Sequence, residues 1–160
     1  MSVSTQRPGV ELTEDRAFTQ RVRRLVWISL GALALITVLA VLDDAAPWMV
    51  ALMLLGWVLM PSLLSLSIHR PRLRYGLVVP GTCFTSAVIA LAIVSDGLAA
   101  VGWWLIAAGL VVGGTDGIWF WMRWLPVPRQ FEDPFGLPRL TLIGVHVTLL
   151  LAGIATVLAV

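Results

Sequence analysis

The sequence predicts an all-α bundle of five transmembrane helices, and three observations support this fold: an apolar composition, five long apolar segments, and arginines confined to alternate connections between them. The 160-residue chain is 59% hydrophobic and 12% charged, with a mean hydropathy of +0.92. A soluble domain carries about twice that share of charged residues. The composition therefore excludes a monomeric, water-soluble domain.

Five stretches are long and apolar enough to cross the hydrocarbon core of a bilayer, which takes roughly 20 mostly apolar residues. They are residues 25–42, 47–67, 76–94, 99–122 and 140–160. The connections between them are too short to hold a folded domain, so we expect one transmembrane domain over residues 25–160. The first span is the shortest, and the apolar stems of Arg23 and Arg24 lengthen it by reaching along the lipid.

Residues 1–24 are predicted to form a cytoplasmic tail rather than a cleaved signal peptide. A signal peptide has an apolar region of about 7 to 15 residues, which is shorter than the span that follows here. The tail also carries Glu14 and Asp15, which suit the first turn of a helix capped by Thr13. We therefore expect a short interfacial helix within this tail.

The distribution of charge predicts the orientation of the bundle. The 11 basic residues are all arginines, and they occur only in residues 1–24, 68–75 and 123–139, which five crossings place on one side of the membrane. The charged residues on the other side are Asp43, Asp44 and Asp96. Because cytoplasmic connections collect Lys and Arg, we predict a cytoplasmic N-terminus and an extracytoplasmic C-terminus. The chain is then a multi-pass protein of the cell inner membrane or the plasma membrane.

The tryptophans agree with this orientation, since Trp and Tyr concentrate at the two membrane–water interfaces. Trp48, Trp103 and Trp104 fall near the outer ends of their spans and are predicted to lie in the outer interface. Trp57 is the exception, because it falls at mid-depth.

Asp116 is the one charged residue inside a predicted span. It lies about 12 Å from the cytoplasmic end of the fourth span, and burying a charge at depth costs at least about 2.5 kcal/mol. Gly109, Gly113 and Gly117 climb the same side of this helix as Asp116. Small residues at this spacing let a second helix approach closely, so Asp116 is expected to face protein rather than lipid.

The predicted partner of Asp116 is His146, at a similar depth on the antiparallel fifth span. On that span Arg139, His146 and Gly153 recur at seven-residue intervals and therefore share a face. Hydroxyl groups gather in the cytoplasmic halves of the second and third spans, at Ser62, Ser65, Thr82 and Ser86. These residues define a candidate intramembrane polar site.

Three interpretations of this candidate site remain open. Ser and Thr in membrane helices commonly bond to the carbonyl four residues earlier, and Asp116 and His146 then serve as interhelical glue. Alternatively, the group binds a proton or a ligand, because an ionisable residue inside the membrane indicates function. In the third interpretation the two side chains do not meet.

The familiar catalytic and metal motifs are missing from the sequence. There is no GxxxxGK[ST], HExxH or GxSxG pattern. With two histidines and Cys83 as the single cysteine, no metal site is expected, and no cofactor is expected either. Haem held between His69 and His146 is the alternative, because membrane haems use paired axial histidines.

The pI of 9.5 does not indicate nucleic acid binding, because membrane topology already accounts for the arginines. Arg70, Arg72 and Arg74 alternate beside the bilayer and are predicted to contact lipid headgroups. The proline-rich segment 124–138 is expected to rest at the cytoplasmic interface, with a docking surface as the alternative.

The leading functional hypothesis is a non-enzymatic accessory subunit or scaffold of a membrane complex. Five spans make a small bundle, so a second copy or a larger membrane protein is the expected partner, besides the lipid bilayer itself. One alternative is a small proton-coupled transporter that uses Asp116 and His146. The other is a membrane enzyme that acts on a lipid phosphate, with the same pair as acid and base.

Overall fold

The computed structural model describes residues 30–116 and 136–160, together with Gln20, Arg24, Trp27 and Ile28. Its described residues form helices joined by short turns, without strands, so the prediction of an all-α helical bundle is confirmed. The predicted interfacial helix of the tail, residues 124–135 of the proline-rich segment, and Gly117 lie outside the described residues.

Five α-helices follow one another in the described residues, close to the predicted spans. They are α1 (Leu30–Leu42), α2 (Pro47–His69), α3 (Val78–Val94), α4 (Gly97–Asp116) and α5 (Leu137–Leu158). A 3-10 helix, Pro71–Leu77, joins α2 to α3. Four segments are long and apolar enough to cross a membrane: α2, α3 together with the end of the 3-10 helix (Tyr75–Val94), α4 and α5. The first helix is shorter over its described length. Helices of this length and composition are typical of a membrane protein.

Two of these helices have a proline at their first or second position, and another proline lies inside a helix without ending it. Pro47 and Pro138 stand in the first turns of α2 and α5, where a missing N–H leaves no helical bond unmade. Pro61 lies inside α2, which continues past it to His69. A helix buried in lipid tolerates such a proline when neighbouring groups satisfy the freed carbonyl.

The turn after α1 is a Schellman motif that positions Asp43. The N–H of Ala45 donates to the carbonyl of Ala40 at 2.9 Å, and the N–H of Asp44 donates to that of Val41 at 3.3 Å. Asp44 adopts the left-handed conformation, with φ of 53°, that this motif requires. The chain therefore reverses within four residues and leaves Asp43 at the end of α1.

The core of the bundle lies among the first four helices. Its largest fully buried side chains include Ile36, Met53, Phe84, Trp103 and Ile106, each at most 1% exposed. At Gly56 the backbones of α2 and α3 approach closely, since a Cβ there would lie 3.0 Å from the carbonyl oxygen of Pro80. Apolar packing of this kind fixes the relative positions of α1 to α4.

The fifth helix lies outside this core and packs against α4. Its one buried residue is Gly153, and among α2, the 3-10 helix, α3 and α4 its extensive contacts are with α4. Large apolar side chains such as Val147 (45% exposed) and Leu151 (62%) face outward. An apolar surface of this extent suits a lipid environment rather than water.

Successive helices run antiparallel, which sorts the charged residues to the two ends of the bundle. The turn between α2 and α3 and the start of α5 lie at one end, with Arg70, Arg72 and Arg139. The turn between α1 and α2 and the turn between α3 and α4 lie at the other end, with Asp43, Asp44 and Asp96. The described residues therefore form a basic end and an acidic end.

Candidate functional site

The contact between α4 and α5 is built on glycine. A Cβ on Gly153 would lie 2.7 Å from the carbonyl oxygen of Gly102, and a Cβ on Gly109 would lie 3.0 Å from the side chain of Leu150. At Gly153 no larger residue fits without a shift of the backbone, and at Gly109 the side chain of Leu150 would have to give way. The two backbones therefore touch, as in other membrane helix pairs with small residues at the interface.

His146 occupies the space that Gly113 leaves open. A Cβ on Gly113 would lie 2.5 Å from Cε1 and 2.6 Å from Nδ1 of the imidazole. The same Nδ1 lies 2.6 Å from the carbonyl oxygen of Gly109. The half-buried ring is thus held between the backbone of α4 and its own helix.

This hydrogen bond determines which nitrogen of the ring carries a proton. A carbonyl oxygen only accepts, so Nδ1 of His146 must donate to Gly109. We infer the Nδ1–H tautomer from the partner, since hydrogen positions follow from the hydrogen-bond geometry. In the neutral ring of this tautomer, Nε2 carries the lone pair.

The register of the two helices places Asp116 beyond His146. Asp116 is the last residue of α4 and follows Gly113 by three residues, which is about 4.5 Å along the axis. Its backbone therefore lies almost one turn from the level of the imidazole, towards the start of α5. The side chain of Asp116 lies outside the described residues, so its contact with His146 stays a prediction.

Two hydroxyl groups of the candidate polar site, those of Ser62 and Thr82, are bonded within their own helices. Ser62 donates to the carbonyl of Val58 at 2.8 Å, and Thr82 donates to that of Val78 at 2.6 Å. All four hydroxyl residues are exposed: Ser62, Ser65, Thr82 and Ser86. They lie on α2 and α3, with which α5 makes no extensive contact in the described residues. The structure thus joins His146 to α4 and leaves these hydroxyls on other helices.

Metal and haem ligation gain no support from the placement of the histidines. His69 is the last residue of α2, and its side chain lies outside the described residues. His146 is on α5, and these two helices do not pack extensively in the described part. Within the described ranges, no three His, Cys, Asp or Glu side chains form a group that could hold a metal ion.

The sequence analysis missed a second polar cluster, at the acidic end. The indole N–H of Trp103 donates to Oδ2 of Asp43 at 2.6 Å, and the hydroxyl of Ser95 lies 3.4 Å from the same oxygen. Trp103 is 0% exposed, so its indole faces the inside of the bundle, whereas Trp48 and Trp104 are 54% and 49% exposed. The predicted depth of these three residues at the outer interface stays a prediction. An indole buried in the core must find an acceptor, and Asp43 supplies it.

This cluster ties three helix ends together. Asp43 follows α1, Ser95 follows α3, and Trp103 lies in the second turn of α4. One feature of the sequence could have indicated this cluster. An acidic pair lies in the short turn after the first span, and a tryptophan lies near the start of the fourth span, at the same predicted end of the bundle. Apolar periodicity could not add to that signal, because these helices are apolar on every side.

The fold and these contacts define a helical membrane bundle with a glycine-lined helix pair. No protein family, no curated protein and no solved structure matches the chain.

Proposed function

We propose that this protein is a non-enzymatic accessory subunit or scaffold of a membrane complex, embedded in the cell inner membrane or the plasma membrane with its N-terminus in the cytoplasm. The observation that carries the proposal is the bond between His146 Nδ1 and the Gly109 carbonyl. Through this bond, the polar side chain in the middle of α5 holds α5 against α4. Polar residues act as such glue in membrane bundles.

The arrangement of α5 supports the same function. One side of the helix is fixed to α4 through Gly153 and His146, and the remaining sides are exposed. Gly144 is exposed, and a Cβ added there would meet no atom within 4 Å. A rigid helix pair with an open outer surface is suited to packing beside another membrane protein.

The orientation within the membrane is supported by the sorted charges. Arg70, Arg72 and Arg139 share the basic end, and Asp43 and Asp96 share the opposite end. The positive-inside rule places the basic end in the cytoplasm.

The test is co-purification from the native host in a mild detergent, with mass spectrometry of the proteins that remain bound. A scaffold should retain a stoichiometric membrane partner, and Gly153→Ala should release it, because the added Cβ overlaps the backbone of α4. Gly114→Ala is the matched control, since a Cβ on Gly114 meets nothing within 4 Å. Retention of the partner by both variants, or its absence from the wild-type preparation, would argue against the proposal.

A proton-coupled transporter is the second candidate, favoured by the position of His146. Its bonded Nδ1 leaves Nε2 for proton exchange, and the backbone of Asp116 lies within one turn along α4. This function requires substrate or proton flux in proteoliposomes that His146→Ala and Asp116→Asn each abolish. A scaffold predicts no such flux, and Asp116→Asn should still assemble with the partner.

A further inference from the structure

The connection between α2 and α3 is a helical turn held by backbone hydrogen bonds. The N–H of Arg70 donates to the carbonyl of Leu66 at 3.0 Å and ends α2, and the N–H of Leu73 donates to the carbonyl of Arg70 at 2.9 Å. The 3-10 helix Pro71–Leu77 follows directly. Backbone groups satisfied in this way hold the turn in one conformation.

The 3-10 helix is also packed against the bundle. A Cβ on Gly76 would lie 3.5 Å from the side chain of Leu63 on α2, which is ordinary van der Waals contact. Leu77 at the end of the 3-10 helix is buried, at 7% exposure. Side chains that point outward from this turn are therefore held at a defined height beside α2 and α3.

The outward side chains are basic and aromatic. Arg70 and Arg72 are exposed, and Tyr75 is 49% exposed. In a 3-10 helix, residues three apart lie above one another, so Arg72 and Tyr75 share a face. Arg74 lies on the same short helix, with its side chain outside the described residues. Arginine and tyrosine at one level are typical of the headgroup layer of a bilayer.

Within α2, the turn and α3, no carboxylate is present to neutralise these guanidinium groups. Residues 45–95 contain neither Asp nor Glu, so α2, the turn and α3 provide no acidic partner. Asp43 and Asp96 lie at the other end of α3, whose 17 residues span roughly 25 Å. That distance exceeds the Debye length of about 8 Å at physiological salt. The positive field of the turn is thus open to an anion from outside these helices.

Apolar side chains flank the basic turn on the side of the membrane core. Leu66 on α2 is 52% exposed, and Val79 at the start of α3 is 57% exposed. Leu66 lies about one helical turn before Arg70, and Val79 lies about one turn after Tyr75. A free phosphate ion would gain nothing from them, whereas the acyl chains of a lipid would cover both.

We propose that the turn between α2 and α3 is a binding site for the phosphate headgroup of an anionic phospholipid. Arg70 and Arg72 donate to the phosphate oxygens, as guanidinium groups do in pairs of parallel hydrogen bonds. The acyl chains lie along Leu66 and Val79. This site goes beyond the scaffold function, because it anchors the basic end of the bundle whatever protein the bundle binds.

The test measures lipid retention by the full chain in mild detergent, using native mass spectrometry. Phosphatidylglycerol and phosphatidylcholine with identical acyl chains are the two probes. We expect phosphatidylglycerol to be retained preferentially, and the double variant Arg70→Gln, Arg72→Gln to bind it about tenfold more weakly. Arg23→Gln with Arg24→Gln is the matched control, since it removes two positive charges that the sequence predicts on the same side of the membrane.

The control separates a site from general attraction to negative charge. A diffuse field would make both double variants lose affinity equally, and that result would overturn the proposal, as would equal retention of the two lipids. Displacement of phosphatidylglycerol by inorganic phosphate at matched concentration would show a free-phosphate site and would also overturn it. The single variants Arg70→Gln and Arg72→Gln, checked by gel filtration, replace the double variant if it does not fold, and each should weaken lipid retention.

Discussion

The indole nitrogen of Trp103 lies 2.6 Å from Oδ2 of Asp43, and this hydrogen bond joins positions 60 residues apart in the chain. It connects the end of the first helix to the second turn of the fourth, with the indole fully buried between them. A buried N–H that loses its acceptor costs the full desolvation penalty of that group. The pair therefore holds the acidic end of the bundle together.

We predict that Asp43→Ala destabilises the bundle by about 1–3 kcal/mol, because it leaves the buried indole N–H of Trp103 without its acceptor. The measurement is the free energy of unfolding in detergent micelles, followed by circular dichroism. Asp43→Asn keeps an acceptor oxygen and should cost less. The control is Asp96→Ala, because Asp96 is an exposed acid at the same end of the bundle. Asp44→Ala is unsuitable as a control, because Asp44 holds the left-handed position of the turn. Equal destabilisation by Asp43→Ala and Asp96→Ala would contradict a stabilising role for the hydrogen bond between Asp43 and Trp103.

We predict that Gly153→Ala separates α5 from α4 and destabilises the protein by about 1–3 kcal/mol, the usual effect of overpacking. A Cβ at this position would lie 2.7 Å from the Gly102 carbonyl oxygen and 2.8 Å from the backbone nitrogen of Ile106. Resistance to unfolding by sodium dodecyl sulfate measures the effect. Gly144→Ala makes the same chemical change in the same helix, at a position with open space, and should leave that resistance unchanged or raised.

We predict that His146 is held as the Nδ1–H tautomer, because its partner is a carbonyl oxygen. Nitrogen NMR of protein labelled at histidine distinguishes the two tautomers directly. Gly113→Ala should shift the His146 signals, since its Cβ would lie 2.5 Å from Cε1 of the ring, whereas Gly114→Ala should not. An Nε2–H tautomer in the wild-type protein would rule out the hydrogen bond to Gly109.

We predict that cysteines at the two ends of the bundle react from opposite sides of the membrane. In a Cys83→Ser background, Asp96→Cys should react with an impermeant maleimide in intact cells, because the proposed orientation turns the acidic end outward. Pro138→Cys, at an exposed position near the start of α5, should react only after the cells are opened. Labelling of Pro138→Cys in intact cells would reverse the orientation.

The helical class and the positions of the long spans were predictable from the sequence alone. In a bilayer every backbone polar group must be bonded internally, so an apolar stretch of about 20 residues has few alternatives to a helix. Arginine placement added an expected orientation, and the spacing of Gly109 and Gly113 predicted a face of α4 for close packing. The structure places both glycines against α5.

Tertiary structure alone decided which side chains meet. Each span is apolar all round, so periodicity could not distinguish lipid-facing from buried residues, and it gave no indication that the indole of Trp103 faces the core. The contact of Gly102 with Gly153, and that of His146 with the Gly109 carbonyl, depend on the register between two helices. Register is set by the summed fit of backbones and side chains across an interface, a quantity that composition and spacing in one chain segment do not contain.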